Sequence, residues 1–392
     1  MKILYTHRTQ GAGAEGNHIR EVVKALCELG HQVYIVSPPR VDPFCLAKEG
    51  SKKKKKKNVF KRIVLSLPQI VFEFMELGYN IYVTSKINKI LKEKKIDFIY
   101  ERYSFFGGAS SKVAQKKGIP IILEVNEISG LKRQRQQAMV GFCGKVEREI
   151  FLRVDAIIVI SQYLKDKIVE RGISAEKIYV ISNAVNIQDF DIKTDISDIE
   201  DQYGKNEKIK LMFVGMFSHW DKLEFLLEVF KNVHSKRANA HLIIVGDGVQ
   251  RTRLQEQAQA LGISGHVTFT GEVNKNDIPK FILLADICLL SDSNPFGSPM
   301  TLFEYMALGK PVVVPRYGPI ECIVKHENEG CLFEPGNATQ FEQCLIDLID
   351  DEKKRKDYGT RGREKIIKYY LWEHNAEKVI EIYRNIGKGR KL

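Results

Sequence analysis

Cysteine is scarce and never paired in pattern: seven in 392 residues, with no C-x-x-C. That excludes a zinc ribbon and a disulfide framework and fits a reducing compartment. Long apolar runs are missing too, and none reaches the about 18 residues that a membrane-spanning helix needs. The chain opens on a strand-like run, Lys2 to Thr6, without the basic-then-apolar layout of a signal peptide. These absences predict a cytoplasmic protein.

Acid is absent from one stretch. Lys52, Lys53, Lys54, Lys55, Lys56 and Lys57, with Lys61 and Arg62, bring eight positive charges and no carboxylate, out of a net +12. The basicity is therefore local, not a field over the whole surface. An apolar run, I-V-L-S-L-P-Q-I-V-F-E-F-M, starts at Ile63. Two readings stand: a solvated loop of low complexity, or a contact with anionic lipid, which attracts each basic residue near the surface by about 1 kcal/mol. The second makes the protein membrane-associated, peripheral on the inner face. Nucleic acid is not expected as a partner, because no aromatic-studded basic face or reader motif accompanies the lysines.

What is present is ordinary for a soluble α/β protein: 44% apolar and 28% charged residues. The length predicts two domains. Strand-like runs at Ile3–Thr6, Gln32–Ser37, Asp97–Tyr100, Pro120–Val125, Ala156–Ile160 and Ile178–Ile181 alternate with helix-like ones. Leu131–Leu152 and, near the end, Asp351–Arg384 read as single helices. Between Asn186 and Lys208 seven acids and little apolar periodicity predict a linker. The alternation then restarts at Lys210–Val214. Such alternation implies parallel sheets covered on both faces, hence two doubly wound, Rossmann-like domains with a cleft between them. The expected division is 1–186, a linker at 187–208, 209–370, and a terminal helix and tail at 371–392.

Ligands of such sheets bind beyond the carboxyl ends of strands. The stretch from Ser293 to Pro315 is the most telling loop of that kind. Ser293–Pro299 is rich in turn residues, Met300–Leu308 suits a short buried helix, Gly309 caps it, and Pro311–Val314 is strand-like. A loop feeding a helix leaves unpaired N–H groups and a positive dipole end, which favour a phosphate. Glu304 sits one turn inside, between Phe303 and Tyr305. It either pairs with a lysine or cap, or accepts from the hydroxyls of a sugar or ribose. Gly11–Gly16 spells G-x-G-x-x-G, but His7–Gln10 separate it from the strand and the second strand ends without an acid. A dinucleotide fold needs both, so two readings remain: a glycine loop at the rim of the cleft that a ligand can approach closely, or a flexible connector.

With Gly11–Gly16, the G-D-G turn at Gly246–Gly248 and the Ser293–Pro315 block in view, the chain resembles a retaining glycosyltransferase of family 4, the group 1 glycosyl transferases. The opening "G-A-G-A-E-G-N-H-I-R-E-V-V-K-A-L", "V-I-S-N-A-V-N" at Val180–Asn186, "F-V-G-M-F-S-H-W" and "S-P-M-T-L-F-E-Y-M-A-L-G-K-P-V-V" carry it over nearly the whole chain. The resemblance implies a GT-B fold of two facing domains, the first on the acceptor side, the second binding a nucleotide sugar, and a last helix returning to the first. It implies UDP- or GDP-sugar as substrate, no metal and no cofactor. Glu304 would hold the ribose and the N–H groups of Met300 and Thr301, preceded by Ser298, the diphosphate. Gly11, Gly13, Gly215 and Gly318 would line the donor. Asn126 falls where many members have a histidine near the reacting carbon.

The sequence departs from the family at three points. Phe296 stands where the first glutamate of E-x7-E belongs, and Met216 and Asp221 replace a diphosphate-neutralising Arg and Lys. Lys222 or Arg316 is expected to substitute, with Arg102 on the acceptor side. By analogy, a hexose moves with retention onto a glycan or lipid-linked acceptor, in surface polysaccharide or glycolipid synthesis. The alternatives are a nucleotide-sugar-binding protein without turnover and a nucleotide-sugar epimerase of the same fold.

Overall fold

A computed structural model describes residues 1–9, 11, 13–44, 68–131, 137–204 and 208–389. Lys52–Lys57 lie outside the described residues. The chain forms two compact units, Met1–Ser182 with Trp372–Leu392, and Asn183–Leu371.

In the first unit β1 (Lys2–Thr6), β2 (Gln32–Val36), β3 (Phe98–Arg102), β4 (Ile121–Val125), β5 (Ala156–Val159) and β6 (Ile178–Val180) pair in parallel, in the order β2-β1-β3-β4-β5-β6. Runs such as IILEV and AIIV are buried at every position, as a sheet covered by helices on both faces requires. The strand order reverses between β1 and β3, so the crevice rule points to the loops that follow them. The last helix, Trp372–Gly389, returns to this unit against helix Gly13–Glu28. Trp372 stands edge-on to His18 at 4.8 Å, and Tyr383 stacks on Phe98 at 4.6 Å.

The second unit repeats the plan. β7 (Ile209–Val214), β8 (Ala240–Val245), β9 (Val267–Gly271), β10 (Ile287–Leu289), β11 (Val312–Pro315) and β12 (Gly330–Phe333) pair in parallel, in the order β12-β11-β10-β7-β8-β9. Here the reversal lies between β7 and β10. These two sheets of six parallel strands are the GT-B pattern.

Two expected helices differ in their ends. Of the one expected from Leu131, residues 132–136 lie outside the described residues, 137–139 are not helical, and the helix runs from Val140. Its entry is set by Glu73, whose carboxylate accepts from the N–H groups of Ala138 and Met139 at 2.7 and 2.8 Å. The one expected from Asp351 to Arg384 breaks after Tyr369. There Tyr370 leaves the helical backbone, with φ −128° and ψ 40°, and its carbonyl accepts from Val185 N–H at 3.0 Å. The 187–208 stretch carries a short 3-10 turn at Ile187–Asp189 and a helix at Ser197–Tyr203, both within the second unit.

Candidate active site

The loops after β7 and β10 meet at the second unit's topological switch. The β7 loop is strained: Phe217 and Lys222 hold φ of 45° and 44°, in the left-handed region that costs a residue with a Cβ roughly 1–2 kcal/mol. Glycines make its packing feasible. A Cβ on Gly246, whose φ is 123°, would stand 1.9 Å from the Gly215 carbonyl oxygen, and one on Gly215 2.7 Å from the Phe213 ring. Ser291 at the end of β10 donates its hydroxyl to the carbonyl of Asp221, tying the two loops. The Lys222 ammonium pairs with the buried Asp292. Asp292 also accepts from Tyr317 Oη and from Ser293 N–H, both at 2.8 Å. Burial pushes the Asp221 carboxyl up to about 6; Ser218 N–H opposes the rise and Asp292 adds to it.

The β10 loop then delivers helix Met300–Ala307. Asn294 folds the loop back, its Oδ1 accepting from Phe296 N–H at 3.3 Å. Buried Ser298 is held by Asn183, which donates its N–H to Ser298 Oγ at 3.1 Å and its side-chain amide to the Ser298 carbonyl at 2.6 Å. The residue ahead of the helix is Pro299, and no side chain caps the end. The N–H groups of Met300 and Thr301, the first two residues of the helix, are thus left without a side-chain cap. Tyr305 anchors the helix from beneath, its hydroxyl accepting from Val214 N–H at 2.8 Å. Glu304 is half-buried, and among the described residues no hydrogen-bond donor meets its carboxylate. Burial pushes that carboxyl up to about 7, Lys275 opposing and Asp189 adding to the rise.

Met300, Thr301, Glu304 and Ser298 therefore belong to one loop–helix element, and Lys222 and Gly215 to the loop beside it. Arg316 is occupied otherwise: its guanidinium lies on Glu321 at 2.8 Å and Glu334 at 2.9 Å. Gly318, exposed at the start of the short helix Gly318–Glu321, has open space around it. Among the described residues no group of three His, Cys, Asp or Glu is placed to hold a metal ion.

In the first unit Gly11 and Gly13 hold φ of 71° and 63°. A Cβ on Gly16 would meet the Gly11 carbonyl oxygen at 1.9 Å, so the helix starts pressed against this loop. Asn126 and Arg102 converge on a residue that sequence reasoning passed over. Glu124 is buried and accepts from Arg102 at 2.6 Å, Tyr100 Oη at 2.8 Å and the Asn126 amide at 2.8 Å, with His18 Nε2 2.8 Å away. Burial would raise its carboxyl, but His18, Arg102 and the hydrogen bonds outweigh this and hold it well below the usual range. Arg102 is thus committed to Glu124. A carboxylate inside the apolar run IILEV was the available signal. Asp292 gave none, standing among the polar residues of its loop.

The sequence profile described as "Glycosyltransferase Family 4" matches residues 15–189, and "Glycosyl transferases group 1" matches residues 195–365. The chain belongs to these glycosyltransferases, of the GT-B type. An uncharacterized glycosyltransferase of Methanocaldococcus jannaschii is 28% identical over 234 residues, 58% of this chain and 59% of its own. The N-acetyl-alpha-D-glucosaminyl L-malate synthase of Bacillus anthracis is 23% identical over 381 residues, 96% of this chain and 93% of its own. Among solved structures, Anabaena HepE in complex with UDP superposes with a TM-score of 0.72 at 17% identity, covering 100% of both chains.

Proposed function

We propose that the chain is a retaining, metal-independent hexosyltransferase that uses a UDP- or GDP-sugar and passes the hexose to a glycan or lipid-linked acceptor. The observation that carries this is the Met300 helix: uncapped N–H groups at its start, an unpaired carboxylate one turn in, and a lysine on the neighbouring loop. A nucleotide diphosphate fits these complementary groups, its phosphates at the amides and Lys222, its ribose hydroxyls donating to Glu304. The UDP bound by the Anabaena relative supports the same ligand class.

Catalysis then consists of positioning and of stabilising the departing diphosphate as its charge develops. Attack comes from the face the diphosphate leaves, with a donor phosphate oxygen taking the acceptor proton, since the Asn126 amide cannot act as a base. Gly11 and Gly13 let a ligand approach the backbone closely.

The test is release of UDP or GDP from a panel of nucleotide sugars with and without acceptors, and the anomeric configuration of the product by NMR. Acceptor-dependent release with retention is expected. An inverted product refutes the retaining reading. Donor binding without turnover, for which Phe296 and the paired Arg316 speak, favours a sugar-nucleotide-binding protein. Conversion of the donor alone favours an epimerase.

A further inference from the structure

Three histidines of the second unit meet at the end of its sheet away from the candidate site. His241 is the second residue of β8, His266 closes the turn that leads into β9, and His234 lies in the last turn of helix Leu223–Lys236. The strands are parallel, so these positions share the amino edge of the sheet, whereas the candidate site is built on loops that leave the carboxyl edge. The rings of His234 and His266 stack at 3.8 Å, with 29° between their planes. His241 is tied through Nε2 to Thr268 Oγ1 at 2.8 Å. In all three rings Nδ1 is buried and meets no hydrogen-bond partner among the described residues.

This arrangement suits neutral imidazole and opposes the charged form. An imidazolium carries two N–H donors, so a proton added to any of these rings leaves a buried N–H without an acceptor. A second proton on the stack would set two cations face to face. The charged groups acting on His241 are Lys208 and Lys210, at the entry to β7, and the other two histidines; those acting on His266 are His234 and Lys208. None of these is acidic. The carboxylates of the surrounding elements are engaged or turned outward. Asp286 accepts from Lys210 N–H at 2.7 Å, Glu342 pairs with Lys236 and Asp350 with Arg237, and Glu256 is exposed on helix Arg251–Ala260. Burial, aided by these cations, holds His241 down at about 4 and lowers His266 as well.

We propose that His234, His241 and His266 form a proton-operated joint: neutral, they hold helix Leu223–Lys236, β8 and the turn before β9 together, and in weak acid their protonation loosens this edge of the second unit. The same helix begins beside Lys222, and β8 ends beside Gly246, so both elements run from the joint to the loops of the candidate site. The joint rests on no step of the transfer. A histidine whose folded value is lowered stabilises above its unfolded value of about 6.5, and that contribution is lost as pH falls from there toward about 4. The raised Glu304 carboxyl has the opposite sign, being most stabilising in acid, so the two effects are separable.

Hydrogen exchange of the full chain without ligand, read by mass spectrometry at pH 7.5 and pH 5.0 and corrected for the pH dependence of intrinsic exchange, tests the joint. Protection of 223–245 and 264–271 should fall at least about 10-fold at the lower pH, the loss that His241 alone brings once its partial exposure is allowed for. Protection of 156–181 in the first unit should not fall. His241→Gln keeps a hydrogen-bonding group for Thr268, His266→Phe keeps a ring on the stack, and neither new side chain titrates in this range. Each variant should be protected like the parent at pH 7.5 and lose less at pH 5.0, and the double variant should lose none. An equal fall in the parent and the double variant overturns the proposal. So does a parent unchanged between the two pH values, or a fall of the same size at 156–181. Should the double variant not fold, His241→Gln against the parent decides by the same criterion.

Discussion

Glu304 should make donor binding depend on pH in one direction. Ionised, its carboxylate is acceptor-only and can take both ribose hydroxyls; protonated, it offers a donor where the ribose also offers one. With the carboxyl pushed up to about 7, about nine-tenths is ionised at pH 8 and about a tenth at pH 6. Affinity scales with the competent fraction, so the Kd of a nucleotide sugar should rise about tenfold from pH 8 to pH 6. About half a proton should be released on binding at pH 7. Calorimetry in buffers of different ionisation heat reads both quantities. A nucleotide sugar is the ligand to use, because free UDP titrates on its own terminal phosphate near pH 6. Glu304→Gln should bind more weakly and without the slope. Asp221, pushed up to about 6, gives the opposite sign: its ionisation adds negative charge beside a diphosphate and weakens binding as pH rises. A flat or falling affinity between pH 6 and 8, or a slope that survives in Glu304→Gln, refutes the role given to this carboxylate. Stability supplies a second readout. A carboxyl raised above its unfolded value stabilises fully in acid, and that contribution, up to about 4 kcal/mol, is lost as pH rises from about 4.3 through about 7. Glu304→Gln should therefore raise the thermal midpoint at pH 8 and not at pH 4.

Three further outcomes are expected. Lys222→Ala should lower kcat about 100-fold in a UDP- or GDP-release assay, the scale of losing one group that stabilises the transition state, while Lys222→Arg recovers part of it. Tyr305→Phe should lower the urea midpoint by the equivalent of about 1–3 kcal/mol, because it strands the buried Val214 N–H. Glu124→Gln should cost about 3–5 kcal/mol by leaving Arg102 buried without its anion. Because the Glu124 carboxyl is held low, its contribution is present above its unfolded pKa and lost as pH falls toward the folded one. The variant and its parent should therefore converge in stability in strong acid.

Both sheets were legible because buried parallel strands are written as short apolar runs between turn residues, and Val312–Pro315 needs only its own sequence to be recognised. The loop–helix element at Ser293–Ala307 was legible for the same local reason. What was not legible was anything decided by a distant partner. The helix at Val140 starts where Glu73, far away in sequence, supplies its cap. The break after Tyr369 depends on Val185. Ser298, expected among the donor-binding residues, has an oxygen that accepts from Asn183, 115 residues away, a contact that no local pattern announces. Arg102 and Arg316, expected as cations near the site, have carboxylate partners that no local pattern announces.

If Lys222 is the cation for the diphosphate, as proposed, the arrangement around Asp292 gives it a resting partner. A lone ammonium poised for a diphosphate would stand in a loop already strained at Phe217 and Lys222. Pairing Lys222 with Asp292 fixes it there. Were a diphosphate to draw the lysine away, Asp292 would keep the Tyr317 hydroxyl and the Ser293 N–H on Oδ1, and only Oδ2 would lose its partner. On the proposed reading the exchange would trade one ion pair for another, with the two bonds kept on Oδ1 offsetting part of the cost of several kcal/mol that a buried carboxylate without donors would impose. Lys222, more than half exposed, is free to move, whereas Asp292, 3% exposed, is fixed. On the proposed reading the exposed partner would follow the ligand, and the buried one would keep the loop in shape.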